Sequence, residues 1–304
     1  EKESHYVNGL SIQGVCTKDS SLLNDVIKNL PLVTDKLDSL IENVDAIYVI
    51  SNPALHYQQI KTALEKGKHV LCESPICLTK DQWGELKRIA QNNNVILMDA
   101  IRTAYSTAYH HLRLLIETGI IGEVMSVDCT CTSLRNIELE KNGETSNSWN
   151  SICSWGPTTL LPIFQILGTK YKSKQIITHL VNEQNKFDSF TKVSFIYSSA
   201  VATLKVGIGA KSEGEMVVSG TKGYLYVPAP WWKTDYFEAR YEDPSNNKRF
   251  FWQLDGEGIR NELVSFLKAI QNGGLGSQFI GENVSSNIVS VIEDFYNGKD
   301  VYLI

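Results

Sequence analysis

Short apolar runs alternate with amphipathic stretches through the first hundred residues. The runs are residues 10–16 (LSIQGVC), 46–50 (AIYVI), 69–72 (HVLC) and 95–98 (VILM). The last three are almost continuously apolar, which fits parallel strands covered on both faces rather than strands with one wet face. Helical spacing lies between them. In residues 81–92, Trp83, Leu86, Ile89 and Ala90 recur at intervals of three and four, with Thr79 placed as an N-cap. Asn52-Pro53 closes a strand, and a helix then runs through Leu55, Ile60, Ala63 and Leu64 to Gly67. Such repeats predict βαβ units in a right-handed, doubly wound sheet.

The pattern changes after about residue 120. In 124–132, Val124 shares a face with Ser126, Asp128, Thr130 and Thr132, and Met125, Val127, Cys129 and Cys131 share the other. That is a half-buried strand. Further strands are read at 175–181, 191–197, 200–208, 215–219, 224–227, 236–241 and 249–253, some joined by tight turns such as 220–223 (GTKG). They predict a mostly antiparallel sheet with one open face. Two helices close the chain, one striped by Ile259, Leu263, Phe266, Leu267 and Ile270, the other by Val284, Ile288, Val291, Ile292 and Phe295. Residues 138–150, polar and rich in Asn and Ser, are expected to form a mobile loop.

With 304 residues the chain is long enough for two domains, placed at 1–101 and 102–304. A net charge of −5 gives no electrostatic footprint for nucleic acid. No apolar run approaches the ~20 residues that cross a bilayer, and the polar start has no signal-peptide pattern. None of the six cysteines forms a CxxC pair, and no His/Cys cluster has metal-ligand spacing. Free buried thiols in a reducing cytoplasm are expected, with no metal, nucleic acid or membrane partner.

Residues 69–79 (HVLCESPICLT), with 51–56 (SNPALH) and 67–70 (GKHV), carry a resemblance to the glucose–fructose oxidoreductase/inositol dehydrogenase/MocA family. Residues 102–105 (RTAY), 119–123 (GIIGE), the turn 220–223 and the closing helices follow in family order, so the resemblance spans nearly the whole chain. It implies a Rossmann domain followed by an open-faced antiparallel sheet domain. It also implies an NAD(P) cofactor, a small polar substrate, and a homodimer or homotetramer formed through the second sheet.

Three departures bear on function. The family opens with a strand, a GxGxxG turn and a helix, whereas this chain starts near the end of that helix. A central strand and phosphate cradle of about two dozen earlier residues are therefore expected. Glu73-Ser74-Pro75 replaces the family's Glu-Lys-Pro, whose lysine lies beside the nicotinamide. Ser154-Trp155-Gly156-Pro157-Thr158 replaces Asp-x-Gly-x-His, with Ser154 at the acid position and Thr158 at that of the proton-accepting histidine. Serine and threonine hydroxyls are poor general bases near pH 7. The same segment also reads simply as a capped helix with Pro157 in its first turn.

Other residues carry paired readings. Thr17-Lys18 follows the second family strand and suits a 2′-phosphate, favouring NADP over NAD; it also suits a solvated turn. By the resemblance, Ser51, Asn52, Pro53, His56, Glu73 and Ser74 line the cofactor, although His56 also reads as a helix cap. Arg102 reads as an anchor for a phosphate or anionic substrate, or as a surface ion pair. Trp231, Trp232 and Lys233, with Tyr236 and Phe237 close by, read as a stacking wall for a sugar or nucleotide, or the tryptophans as a plug at a sheet edge or subunit interface; Tyr105 and Trp155 are further substrate candidates. Two functions remain open: a hydride-transferring oxidoreductase acting on a sugar, cyclitol or phosphate derivative, and a non-catalytic nucleotide- or sugar-binding module. The oxidoreductase needs a titratable group near the substrate, for which Arg102, Tyr105, His110 and Lys233 are candidates.

Overall fold

The computed structural model describes residues 1–142, 149–273 and 278–304. The chain forms two compact units. The first comprises Glu1–Cys77, Asp81–Ala100 and Asp255–Gln278; the second comprises Leu78–Lys80, Ile101–Leu254 and Phe279–Ile304. The chain thus returns to the first unit after completing most of the second.

The first unit begins with strand β1 (Gly14–Cys16), helix α1 (Asp25–Lys28), β2 (Leu32–Thr34), α2 (Leu37–Glu42) and β3 (Ala46–Val49). Then come α3 (Pro53–Glu65), β4 (His69–Glu73), α4 (Lys80–Asn92) and β5 (Leu97–Ala100). All ladders are parallel, as the continuous apolar runs require. Val70, Leu71 and Cys72 of β4 have no exposure, and β5 is buried throughout. The α4 stripe of Trp83, Leu86, Ile89 and Ala90 is buried as its spacing predicts. On α3 the buried stripe is His56, Ile60, Ala63 and Leu64, while Leu55 points to solvent.

The ladders form two sheets rather than one. β1 pairs with β2, and β3 pairs with β4, which pairs with β5. No ladder joins β1 to β3 among the described residues. Tyr48 of β3 is 38% exposed, unlike the fully covered β4.

The second unit holds α5 (Thr107–Glu117), β6 (Val124–Thr132), α6 (Glu138–Lys141), α7 (Ser151–Leu167), β7 (Ser173–Asn182), β8 (Phe187–Ile196) and β9 (Val201–Gly207). β10 (Met216–Gly220), β11 (Tyr224–Val227), β12 (Tyr236–Arg240) and β13 (Lys248–Phe251) follow. After α8 (Ile259–Gln271), which belongs to the first unit, α9 (Glu282–Tyr296) and β14 (Val301–Leu303) finish the chain. The nine strands run in the order β13-β12-β11-β10-β6-β9-β8-β7-β14. Neighbours are antiparallel except β6 with β9 and β7 with β14.

One face of this sheet is covered by α7, which also packs on α9. Its core includes Leu160, Leu161 and Phe164 of α7, Ile288 and Ile292 of α9, and Val127, Cys129 and Cys131 of β6. Met125 shares the face predicted for it but is exposed at the strand's start. The loop expected at 138–150 opens with the short helix α6, and residues 143–148 of it lie outside the described residues. Helix α7 begins at Ser151, so Pro157 stands in its second turn, not its first as read from the sequence.

Candidate functional site

In the first unit the predicted cofactor residues gather at the carboxyl ends of the parallel strands, where open α/β sheets bind ligands. Asn52 is the N-cap of α3, its Oδ1 accepting from the Ala54 amide at 3.0 Å, and Pro53 begins the helix with a fixed φ and no orphaned N–H. The Ser51 hydroxyl donates to Gln59 Oε1 at 2.5 Å. His56 is fully buried. Its Nε2 lies 2.7 Å from the Ser51 carbonyl and its Nδ1 lies 2.8 Å from the Pro75 carbonyl. The ring therefore brackets the β3–α3 turn to the loop leaving β4, and burial pushes its pKa down. The ring is buried between two loops rather than lying on the surface as a helix cap.

Ser74 lies in that bracketed loop. It is 8% exposed, and its Oγ has no hydrogen-bond partner among the described residues. A buried hydroxyl without a partner costs roughly 1–3 kcal/mol, so one aimed at a ligand gains most from that ligand. The neighbouring Glu73 accepts from the Tyr48 hydroxyl at 2.7 Å, and the same hydroxyl lies 3.2 Å from Glu262 Oε1 on α8. Tyr48 and Glu262 were not singled out from the sequence. Tyr48 was hidden inside an apolar strand, and Glu262 stood inside a helix stripe that otherwise reads as core. Cys72 is buried, and burial with the nearby carboxylates Asp99 and Glu73 pushes its thiol up, so it is no nucleophile.

Thr17 sits at the end of β1, its hydroxyl and the Asp19 backbone closing a small turn at 3.2 Å. Asp19 caps the following turn through Ser21, with its carboxylate engaged by the amide at 2.9 Å and the hydroxyl at 2.6 Å. Lys18 is exposed.

The second unit carries the other predicted residues. The turn Arg102–Tyr105 is tied to the turn Trp231–Lys233: Thr103 Oγ1 donates to the Trp232 carbonyl and Ser106 Oγ to the Thr234 carbonyl, both at 3.0 Å. Within these turns the tryptophans divide. Trp231 has 0% exposure, and its Nε1–H donates to the Thr130 carbonyl at 2.9 Å, so it plugs the sheet and cannot stack a substrate. Tyr105 is likewise buried, edge-on to Phe279. Trp232 is half-buried, and its ring meets Trp155 at 5.0 Å and 51°. Gly214 makes room for it: a Cβ there would come within 2.7 Å of the Trp232 ring. His110 is exposed beside Phe279.

Ser154, Trp155 and Thr158 share one side of α7 because they fall one, three and four residues apart. Asn150 caps this helix through the Cys153 amide at 3.1 Å. Asp188 supports it from β8, accepting from the Ile152 amide at 3.1 Å and the Thr191 hydroxyl at 2.6 Å. Full burial pushes the Asp188 carboxyl up to about 6 against these hydrogen bonds. The Ser154 hydroxyl donates to the Trp149 carbonyl at 3.2 Å and accepts from Arg135 Nη1 at 3.1 Å. Arg135, whose guanidinium also lies 5.8 Å from the Trp155 ring, was not singled out from the sequence. It follows β6 in a stretch with no periodic signal.

Among known proteins, residues 4–100 match the model of the oxidoreductase family with an NAD-binding Rossmann fold, GFO_IDH_MocA. Over these residues, about a third of the chain, it is similar to the glucose–fructose oxidoreductase/inositol dehydrogenase/MocA family. Over 273 residues it is 20% identical to trans-1,2-dihydrobenzene-1,2-diol dehydrogenase of Xenopus tropicalis, covering 88% of this chain and 82% of that one. Over 82 residues it is 39% identical to the D-xylose 1-dehydrogenase (NADP(+)) of Hypocrea jecorina, covering 27% of this chain and 21% of that one. Its fold is similar to that of KijD10, a 3-ketoreductase from Actinomadura kijaniata in complex with NADP and TDP-benzene. That likeness has a TM-score of 0.86 and 15% identity and covers 100% of this chain and 93% of the other. No helix among the described residues is long and apolar enough to cross a membrane, and no group of three or more metal-ligating side chains occurs among them.

Proposed function

We propose that this protein is an NAD(P)-dependent oxidoreductase that transfers a hydride to or from a small polar substrate, a sugar, cyclitol or phosphate derivative. The observation that carries the reading is the Ser74 hydroxyl, buried without a hydrogen-bond partner among the described residues in a loop that His56 brackets to the β3–α3 turn. A dinucleotide fits there: Ser74 supplies a directed hydrogen bond, the α3 N-terminus faces the same strand ends, and Lys18 at the end of β1 suits a 2′-phosphate. NADP is preferred for that last reason. When bound, the dinucleotide supplies hydride chemistry through its nicotinamide. This chain's own residues bind and orient. In the second unit Ser154, held by Arg135, and Thr158 offer hydroxyls on one side of α7 in place of a histidine. Arg102 and Lys233 are the charged groups of the second unit placed on its paired turns. We place the protein in the cytoplasm as a homodimer or homotetramer, associating through the open face of the nine-stranded sheet.

A second reading is favoured by one observation: none of the three substituted family positions titrates near neutral pH. On this reading the chain binds a nucleotide or sugar derivative without turning it over. Titrating the full chain with NADPH and NADH, followed by tryptophan quench and nicotinamide emission, separates the two. Micromolar binding followed by absorbance change at 340 nm with a sugar or cyclitol panel supports the oxidoreductase. Dinucleotide binding with no turnover supports the second reading. No binding at ~1 mM, a standard free energy near −4 kcal/mol, overturns the oxidoreductase.

A further inference from the structure

Arg135 differs in its surroundings from most arginines of the chain. Arg113, Arg240, Arg249 and Arg260 each lie within ion-pair distance of a carboxylate. Arg135 has no such neighbour among the described residues. Its side chain reaches solvent. Partial desolvation lowers its pKa. With no carboxylate beside it among the described residues, the guanidinium is open to an oxyanion.

Its position is fixed from two sides. Nη1 donates to Ser154 Oγ at 3.1 Å, and that hydroxyl is itself oriented by the Trp149 carbonyl. The Trp155 indole lies beside the guanidinium. Among the described residues four of the five N–H donors have no acceptor, and they lie in the planar fork that matches carboxylate or phosphate. Ser154 stands in the first turn of the seventeen-residue α7, whose N-terminal dipole end adds a favourable field for negative charge. Beyond Trp155 lies the half-buried Trp232, held by Gly214 and the Thr103 hydrogen bond. It offers an aromatic surface of the kind that covers the apolar face of a sugar ring.

We propose that Arg135, positioned by Ser154 and Trp155, binds an oxyanion on the substrate, whose ring rests against Trp232. The preferred substrate class is therefore an acidic sugar derivative, a uronate or a sugar phosphate, rather than a neutral sugar. This deepens the oxidoreductase reading and rests on it for the word substrate, but the binding site stands independently of hydride transfer. Arg135 is a specificity-determining residue, and no proton or electron passes through it.

The test is calorimetry and tryptophan fluorescence on the full chain without dinucleotide, using glucose, glucuronate and glucose 6-phosphate as probes. Both anions, or the one whose geometry fits, are expected to bind at least tenfold more tightly than glucose. Arg135→Gln should remove that preference, weakening the anion about ten- to a hundredfold, the cost of one charge-assisted pair, while glucose is unaffected. Arg135→Lys should retain part of the preference, and it serves as the comparison if the glutamine variant fails to fold. Comparing the two anions tells carboxylate from phosphate. Equal binding of neutral and acidic sugars, an Arg135→Gln variant that keeps the preference, or no binding of either anion at ~10 mM overturns the proposal. Loss of NADPH binding with the anion preference intact overturns the oxidoreductase reading alone.

Discussion

Asp188 ties the second unit's sheet to the helix that carries Ser154, Trp155 and Thr158, and its burial makes a measurable statement about pH. The side chain has no exposure, and burial raises its pKa from 3.8 to about 6. The unfolded chain sheds this proton near pH 4, whereas the native protein keeps it until near pH 6. Between those values the native state binds more protons, so stability falls as pH rises through the window and is level above it. Two units of displacement correspond to about 3 kcal/mol. Asp188→Asn carries no such titration. The stability of the wild type relative to Asp188→Asn should therefore fall by about 3 kcal/mol between pH 4 and pH 7. His56 contributes with the opposite sign, because burial lowers its pKa and stability is lost as pH falls below its unfolded value. It is present in both proteins and cancels in the difference. Urea unfolding followed by tryptophan emission suits the measurement, since five of the six tryptophans lie in the second unit and only Trp83 in the first. A difference between the two proteins that stays constant within about 1 kcal/mol across this range would refute the assignment of a raised pKa to Asp188.

Three further outcomes are expected. Ser74→Ala should leave thermal stability unchanged or raise it, because the lost Oγ has no hydrogen-bond partner among the described residues, while weakening NADPH by about three- to tenfold; a drop in Tm with unchanged NADPH affinity would show the hydroxyl to be structural. Gly214→Ala should displace the Trp232 ring, and near-ultraviolet circular dichroism should change while far-ultraviolet dichroism does not; an unaltered aromatic spectrum would mean the ring was not fixed there. Lys174→Ala should destabilise the second unit by about 3 kcal/mol in urea unfolding, since it strips a buried ammonium from Asp294 and Asp300, both at 2.7 Å, and loosens β14 from β7; a loss below about 1 kcal/mol would place the pair among surface bridges.

Much of the fold was legible in the chain. Continuous apolar runs require cover on both faces, so the parallel character of β3, β4 and β5 followed from composition alone. Period-two alternation in residues 124–132 gave the buried face of β6, and the helical stripes gave the inner faces of α4 and α9. The likeness of residues 4–100 to an NAD-binding Rossmann oxidoreductase family was also legible, carried by short motifs at the strand ends.

The site was less so. Trp231 and Trp232 are adjacent in sequence, yet one is a sealed plug and the other a half-open surface. Neighbours in a turn point in different directions, and only the surrounding sheet decides which finds the Thr130 carbonyl. His56 read as a cap or a ligand contact; its buried ring lies between the Ser51 carbonyl and that of Pro75, nineteen residues further along the chain, and such a bridge leaves no local signal in the sequence. Arg135 carried no signal at all: its meaning comes from a serine nineteen residues later and from the lack of a carboxylate among the described residues around it. Periodicity records which face of an element meets apolar matter, and that is a local property. Which polar atoms are left to face a ligand depends on how every other polar group has been satisfied, and that is settled only when the chain has folded.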